Sequence, residues 1–185
     1  MTKKVYYTDK QIEGMIHNII RQMGHDNWKP DYVVGITRGG LVPATMISHY
    51  FDIPMHTLKV SLRSNPPDTE SNGWMAEEAF GYIPLNKRDI LKSRWDTKKR
   101  KNILIVDDIN DSGATFEWIK QDWTAGCLPQ ETEAWESVWN NNVKFAVMVD
   151  NEASNFDRID YFGEAINKIE DPQWVEFPWE CWWRH

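Results

Sequence analysis

Three aspartates, Asp107, Asp108 and Asp111, fall close together in the stretch ILIVDDINDSGAT, residues 103–115. Carboxylates at this spacing suit two kinds of chemistry. They accept hydrogen bonds from sugar hydroxyls, and they suit Mg²⁺, which takes one or two protein carboxylates and completes its shell with water and substrate oxygens. Ser112, Gly113, Ala114 and Thr115 follow at once. A small, hydroxyl-bearing turn of this kind suits a phosphate. Glycine lets the backbone come close, and the free N–H groups that open a helix favour an anion. Carboxylates beside a phosphate would repel it unless they serve another part of the ligand. A ribose phosphate removes the conflict: residues 111–115 take its 5-phosphate, and Asp107 and Asp108 take its 2- and 3-hydroxyls.

A second turn of the same character lies in VVGITRGGLVPA, residues 33–44. Gly39 and Gly40 expose backbone N–H groups, and Arg38 offers a forked cation for phosphate oxygens. Two simpler readings compete at the aspartates. Asp108, Asn110, Ser112 and Gly113 imitate the start of a calcium loop, but the twelfth position, which needs a bidentate Glu, is Ile119. The other is an acidic, solvated turn without a ligand. Its place between an apolar run and a helical pattern makes that the weaker reading.

The flanking elements must place both turns on one sheet. Thr8 and Gln11 have capping-box spacing, and Ile12, Met15, Ile16, Ile19, Ile20 and Met23 recur at helical intervals. A helix is expected over residues 9–23. After Pro30, DYVVGI reads as a buried strand, LVPATMISHYF as a helix and MHTLKVSL as a strand. NILIV gives a strand ending at Val106, from which the chain turns through Asp107 to Gly113. ATFEWIKQDW gives the next helix, and KFAVMV a strand leading to Asp150. Alternation of this kind predicts an α/β fold with a mainly parallel sheet flanked by helices, and ligands on such sheets bind at the carboxyl ends of strands. Residues 64–101 differ. RSNPPDTESNGW is rich in breakers, and NKRDILKSRWDTKKRK is strongly basic. This is either a solvated excursion or a lid over an anionic ligand.

The chain has 185 residues and 41% hydrophobic content, which fits one α/β domain with a full core and at most a small appendage. The formal net charge is -7. No overall basic field exists to hold nucleic acid or an anionic membrane, so neither is expected as a partner. Cys127 and Cys181 match no metal or redox spacing, and a reducing, cytoplasmic setting is expected. The opening residues carry no apolar leader, and no apolar run approaches a membrane span. Several of the 11 tryptophans crowd into QWVEFPWECWWRH, where some could form an aromatic wall for a ligand.

ILIVDDINDSGAT resembles the signature of the type I phosphoribosyltransferases, enzymes that use 5-phosphoribosyl-1-pyrophosphate (PRPP). ITRGGLVPA is similar to their pyrophosphate loop, and DYF…QWVEFPWE to the base-binding end of the xanthine–guanine (purine) branch. The similarity runs in order through the first helix, both loops and the tail, and leaves residues 64–101 and 124–142 uncovered. It implies the type I fold, as one domain with a core over 1–150, including the lid-like insertion at about 64–101, and a base-binding hood over 151–185. It also implies transfer of the phosphoribosyl group to a nucleobase, expected to be a purine, release of pyrophosphate, Mg²⁺ as cofactor and a homo-oligomer, dimer or tetramer. Asp107 and Asp108 would hold the ribose, with Asp108 the better metal ligand. Asp111 would be the acid/base group, and Asp111, Ser112, Gly113, Ala114 and Thr115 would cradle the 5-phosphate. Thr37, Arg38 and Gly39 would hold pyrophosphate. Trp174 would stack on the base, Val175 would touch its edge, and Glu180 would lie nearby.

The resemblance has one departure. Its 6-oxopurine enzymes carry a lysine after the strand that corresponds to KFAVMV, where this chain reads Val149-Asp150-Asn151-Glu152. Asp150 and Asn151 would then face the base edge, and weak use of 6-oxopurines is expected unless Lys87 or Lys92 folds over from the basic segment. The competing class is a PRPP- or nucleotide-sensing regulator of the same fold, for which KKRK at 98–101 would be the surface that binds RNA. A dinucleotide-binding oxidoreductase is disfavoured, because no G-x-G-x-x-G follows a strand.

Overall fold

A computed structural model describes residues 3–84 and 94–184. Strand β1 (Lys3–Tyr6) leads into helix α1 (Asp9–His25). The helix starts where the capping residues predict. Thr8 Oγ1 accepts from the Gln11 backbone N–H at 3.3 Å, and the Gln11 side chain accepts from the Thr8 N–H at 2.9 Å. Ile12, Met15, Ile16, Ile19 and Met23 form its buried stripe. There follow β2 (Tyr32–Thr37), α2 (Leu41–Phe51), β3 (Met55–Ser61), β4 (Asp68–Thr69) and α3 (Gly73–Phe80). The second half comprises β5 (Ile103–Asn110), α4 (Ala114–Gly126), α5 (Thr132–Asn141), β6 (Val143–Asn151), β7 (Tyr161–Ile166), β8 (Gln173–Glu176) and α6 (Pro178–Cys181).

Six strands form one sheet in the order β4-β3-β2-β5-β6-β7, parallel except for β4 against β3. Strand alternation divides the core in two. Ile103, Ile105, Phe145 and Val147 face α3, α4 and α5, while Leu104, Val106, Ala146 and Met148 face α1 and α2. Neighbouring β2 and β5 therefore send their following helices to opposite faces. That is a topological switch point, where a crevice opens at the strand ends. A separate pair, β1 with β8, joins the N-terminus to the tail through Lys3↔Gln173 to Tyr6↔Glu176 and makes the hood. Trp123, Trp135 and Trp139 are buried packing residues, with Trp135 stacked on Trp139 at 5.2 Å.

Three expectations change. β5 does not end at Val106. Its pairing with β2 stops at Gly35↔Val106, but its pairing with β6 continues through Asp107↔Val147 to Asn110↔Asp150. Asp107 and Asp108 are thus strand residues at a diverging edge, not turn residues. Second, residues 64–101 are not one lid. The exposed connection from Ser61 to Asp68 borders the cavity described below, whereas α3 buries Met75, Ala76, Ala79 and Phe80 in the core. Third, Lys98–Lys101 precede β5 and lie at the opposite end of the sheet. Arg100 there donates to the carbonyls of Phe80 and Ala134 and to Ser137 Oγ. The guanidinium pins α3 to α5, so Arg100 is a structural residue, while Lys98, Lys99 and Lys101 stay exposed at the end of the sheet away from the cavity. Lys87 and Lys92 lie outside the described residues.

Candidate active site

A cavity of about 420 Å³ opens at the carboxyl ends of β2, β3 and β5, with the hood as its far wall. That volume is within the usual range for a small-molecule site. Its floor is Asp107 and Asp108. The Asp107 carboxylate accepts the Asp108 backbone N–H at 2.9 Å. Burial, followed by the neighbouring Asp108 charge, raises the Asp107 pKa well above the usual carboxylate range. Burial, followed by the Glu180 charge, raises that of Asp108 to about 6. Two recessed carboxylates that resist ionising together suit a hard divalent cation. Among the described residues, no group of three or more His, Cys, Asp or Glu forms a metal cage. The pair fits Mg²⁺, which needs only one or two protein ligands beside substrate oxygens.

The Thr37–Gly39 turn packs directly on this floor. A methyl group at Gly39 would fall 1.8 Å from Asp108 Oδ2, so only glycine allows the approach. Arg38 is exposed on the cavity wall. Opposite it, Asp111, Ser112, Gly113, Ala114 and Thr115 curl into the start of α4. Gly113 holds φ +85°, and a Cβ there would meet Phe156 at 2.5 Å. The two anion-suited turns predicted from sequence therefore face one cavity, with the carboxylates between them.

The far end departs from expectation. Asp150 and Asn151 are absent from the cavity wall, because their side chains are committed elsewhere. Asn110 Nδ2 donates to Asp150 Oδ1 at 2.8 Å, and Asn151 Nδ2 donates to the Asp111 carbonyl at 2.9 Å. The residue that sequence reasoning missed is Lys168, between β7 and β8. Its Nζ donates to Asp111 Oδ1 at 2.8 Å, with the two side chains 18% and 36% exposed. Arg63, from the β3–β4 connection, approaches the other Asp111 oxygen at 4.0 Å. The signal for Lys168 was topological. Adjacent parallel strands lie about 4.8 Å apart, so a lysine after β7 reaches space that a lysine after β6 would fill.

Trp174 and Val175 line the same end from β8. Trp174 is 50% exposed, unlike the core tryptophans, while Val175 is buried in the hood. Glu180 also borders the cavity, and one of its oxygens accepts the Phe177 N–H at 2.9 Å.

The family described as Phosphoribosyl transferase domain matches residues 5–184, and this chain belongs to it. Among curated relatives, the xanthine-guanine phosphoribosyltransferase of Cereibacter sphaeroides is 35% identical over 98 residues, covering 52% of this chain and 50% of that protein. Xanthine phosphoribosyltransferase 1 of Saccharomyces cerevisiae is 23% identical over 122 residues, 63% of this chain and 58% of that one. The matches thus span about half the length of the curated relatives. Among solved structures, the purine phosphoribosyltransferase of Pyrococcus horikoshii covers 97% of this chain and 95% of its own, at TM-score 0.59 and 24% identity. The Helicobacter pylori xanthine-guanine-hypoxanthine phosphoribosyltransferase gives the same coverage at TM-score 0.63 and 16% identity. These two show the fold. No helix among the described residues is long and apolar enough to cross a membrane.

Proposed function

We propose that the protein transfers the 5-phosphoribosyl group of PRPP to a 6-oxopurine and releases pyrophosphate. The observation that carries the choice of base is the Lys168–Asp111 pair at 2.8 Å in the wall of the cavity. An ammonium has three donors, and one is spent on Asp111. The pair therefore offers a donor beside an acceptor. A 6-oxopurine presents the complement, a carbonyl oxygen beside a ring N–H. A 6-amino group would set donor against donor. The similarity to a xanthine-guanine and a xanthine phosphoribosyltransferase supports the same class of base.

The other roles follow from position. Residues 111–115 take the 5-phosphate with helix-start amides and hydroxyls, and Thr37, Arg38 and Gly39 take pyrophosphate. Asp107 and Asp108 hold the ribose hydroxyls and would bind Mg²⁺. When bound, the ion neutralises charge on the departing pyrophosphate. The bond from the sugar C1 to pyrophosphate breaks, and a bond from C1 to the base nitrogen forms. The nitrogen's proton passes to solvent or to Asp111. When ionised, the aspartates would stabilise the cationic character that develops on the sugar. Leu62 and Arg63 of the β3–β4 connection line the cavity, where excluding water would limit hydrolysis of PRPP.

Trp174 serves as the face on which the base stacks. Trp174→Ala is expected to raise KM for the base about ten- to a hundredfold, the scale of one lost stacking contact. KM for PRPP should change little, and the half-exposed side chain implies little loss of melting temperature. A drop in melting temperature with an unchanged base KM would make Trp174 a packing residue. The reading as a whole is tested by pyrophosphate release from PRPP on addition of hypoxanthine, guanine or xanthine, with adenine as the comparison. Release with adenine alone would reject the assigned base class, and no release with any base would reject the activity.

A further inference from the structure

Asn151 is the last residue of β6 and is only 5% exposed. Its side chain makes no contact with the cavity, yet it holds both residues of the pair that does. Nδ2 donates to the Asp111 carbonyl at 2.9 Å, and Oδ1 accepts the Lys168 backbone N–H at 3.0 Å and that of Ala153 at 3.3 Å. The side chains of those first two residues then meet at 2.8 Å. One amide thus fixes the backbone origin of an ammonium and of the carboxylate it must reach. Asn151 also pairs with Ile166, the last residue of β7, and Lys168 follows two residues later.

We infer that Asn151 is a positioning residue for base selection: it sets the register of the β7–β8 turn against the 111–115 turn, and so brings the Lys168 ammonium beside the Asp111 carboxylate. The inference rests on the 6-oxopurine reading above. A lysine has four flexible side-chain torsions, and holding its head group in one place requires a fixed starting point. Ile166 and Asn151 supply one side of that anchor through the sheet, and the Asn151 amide supplies the other. Without the amide, the Asp111 carbonyl and the Lys168 N–H lose their partners, and the turn is free to move away from the cavity. The amide in β6 and the lysine after β7 therefore work as a unit.

The test is a double-mutant cycle on the full chain with Asn151→Ala, Lys168→Met and both together, read by kcat/KM for hypoxanthine and KM for PRPP. Asn151→Ala should lower kcat/KM for hypoxanthine about tenfold, the equivalent of one supporting hydrogen bond, with KM for PRPP little changed. In the Lys168→Met background, the same change should have almost no further effect. An equal loss in both backgrounds, or a parallel rise in KM for PRPP, would overturn the inference. If Asn151→Ala does not fold, Asn151→Ser carries the same cycle. A ligand-free arm separates this inference from the functional reading. With lysines labelled by reductive ¹³C-methylation, the Lys168 resonance, identified by its loss in Lys168→Met, should move toward the position of exposed lysines in Asn151→Ala. A resonance that does not move overturns the positioning role whatever the turnover. A wild type that uses no purine, with the shift still present in Asn151→Ala, rejects the functional reading alone.

Discussion

Replacing Asp107 and Asp108 together by Asn is expected to weaken Mg²⁺-dependent PRPP binding strongly while making the unliganded protein more stable. Each carboxylate contributes a charge-assisted contact of roughly 1.5–3 kcal/mol, so losing both weakens PRPP by about a hundredfold or more in calorimetry. The stability gain comes from the same burial. Both carboxyls titrate above their ordinary range, Asp108 at about 6, with burial the first cause in each. A carboxyl raised in the folded state keeps its proton there while the unfolded chain has already lost its own. Folded stability therefore falls as pH rises from about 4 through about 6. In chelator without Mg²⁺, the double variant should melt above wild type at pH 7, and the gap should close toward pH 4. Unchanged PRPP affinity, or a gap that widens at low pH, would contradict the assignment.

Lys168→Met should produce the second large effect. The methionine keeps the apolar stem out to Cε but removes the ammonium, leaving Asp111 without its partner at 2.8 Å. Loss of one charge-assisted hydrogen bond to the base corresponds to about ten- to a hundredfold in kcat/KM for hypoxanthine or guanine. The ratio of 6-oxopurine to adenine use should fall in the same proportion, because adenine gains nothing from an ammonium donor. Steady-state kinetics with both bases provide the check. An equal loss for both bases would reduce Lys168 to support for Asp111, and no loss would remove it from the site.

The parts legible in sequence were those whose determinants lie close together along the chain. Thr8 and Gln11 announce α1, and Asp107–Thr115 carry strand end, carboxylates, small turn and helix start within nine residues. The glycine of the Thr37–Gly39 turn was legible as well, although not that it presses on Asp108. What local reading missed depends on contacts far apart in sequence. The base end is built by Lys168 reaching Asp111, 57 residues away, and by Asn151 tied to both. Searching only the residues next to the KFAVMV strand led to Asp150 and Asn151, whose polar groups are spent inside the protein. Helix α3 was hidden by the polar, breaker-rich stretch before it, although Met75, Ala76, Ala79 and Phe80 make a short helical stripe. The β1–β8 pairing carries no local signal, since its partners lie about 170 residues apart and only the closed hood brings them together.

Ribosyl transfer to a 6-oxopurine is read off most simply from the identity of the nucleotide formed. The protein is incubated with PRPP, Mg²⁺ and equal concentrations of hypoxanthine, guanine, xanthine, adenine and uracil, and the products are resolved by chromatography with mass detection. Nucleoside 5-monophosphates of the 6-oxopurines are the expected products, formed in step with pyrophosphate. Adenosine or uridine monophosphate as the main product, or ribose 5-phosphate with no nucleotide, would contradict it.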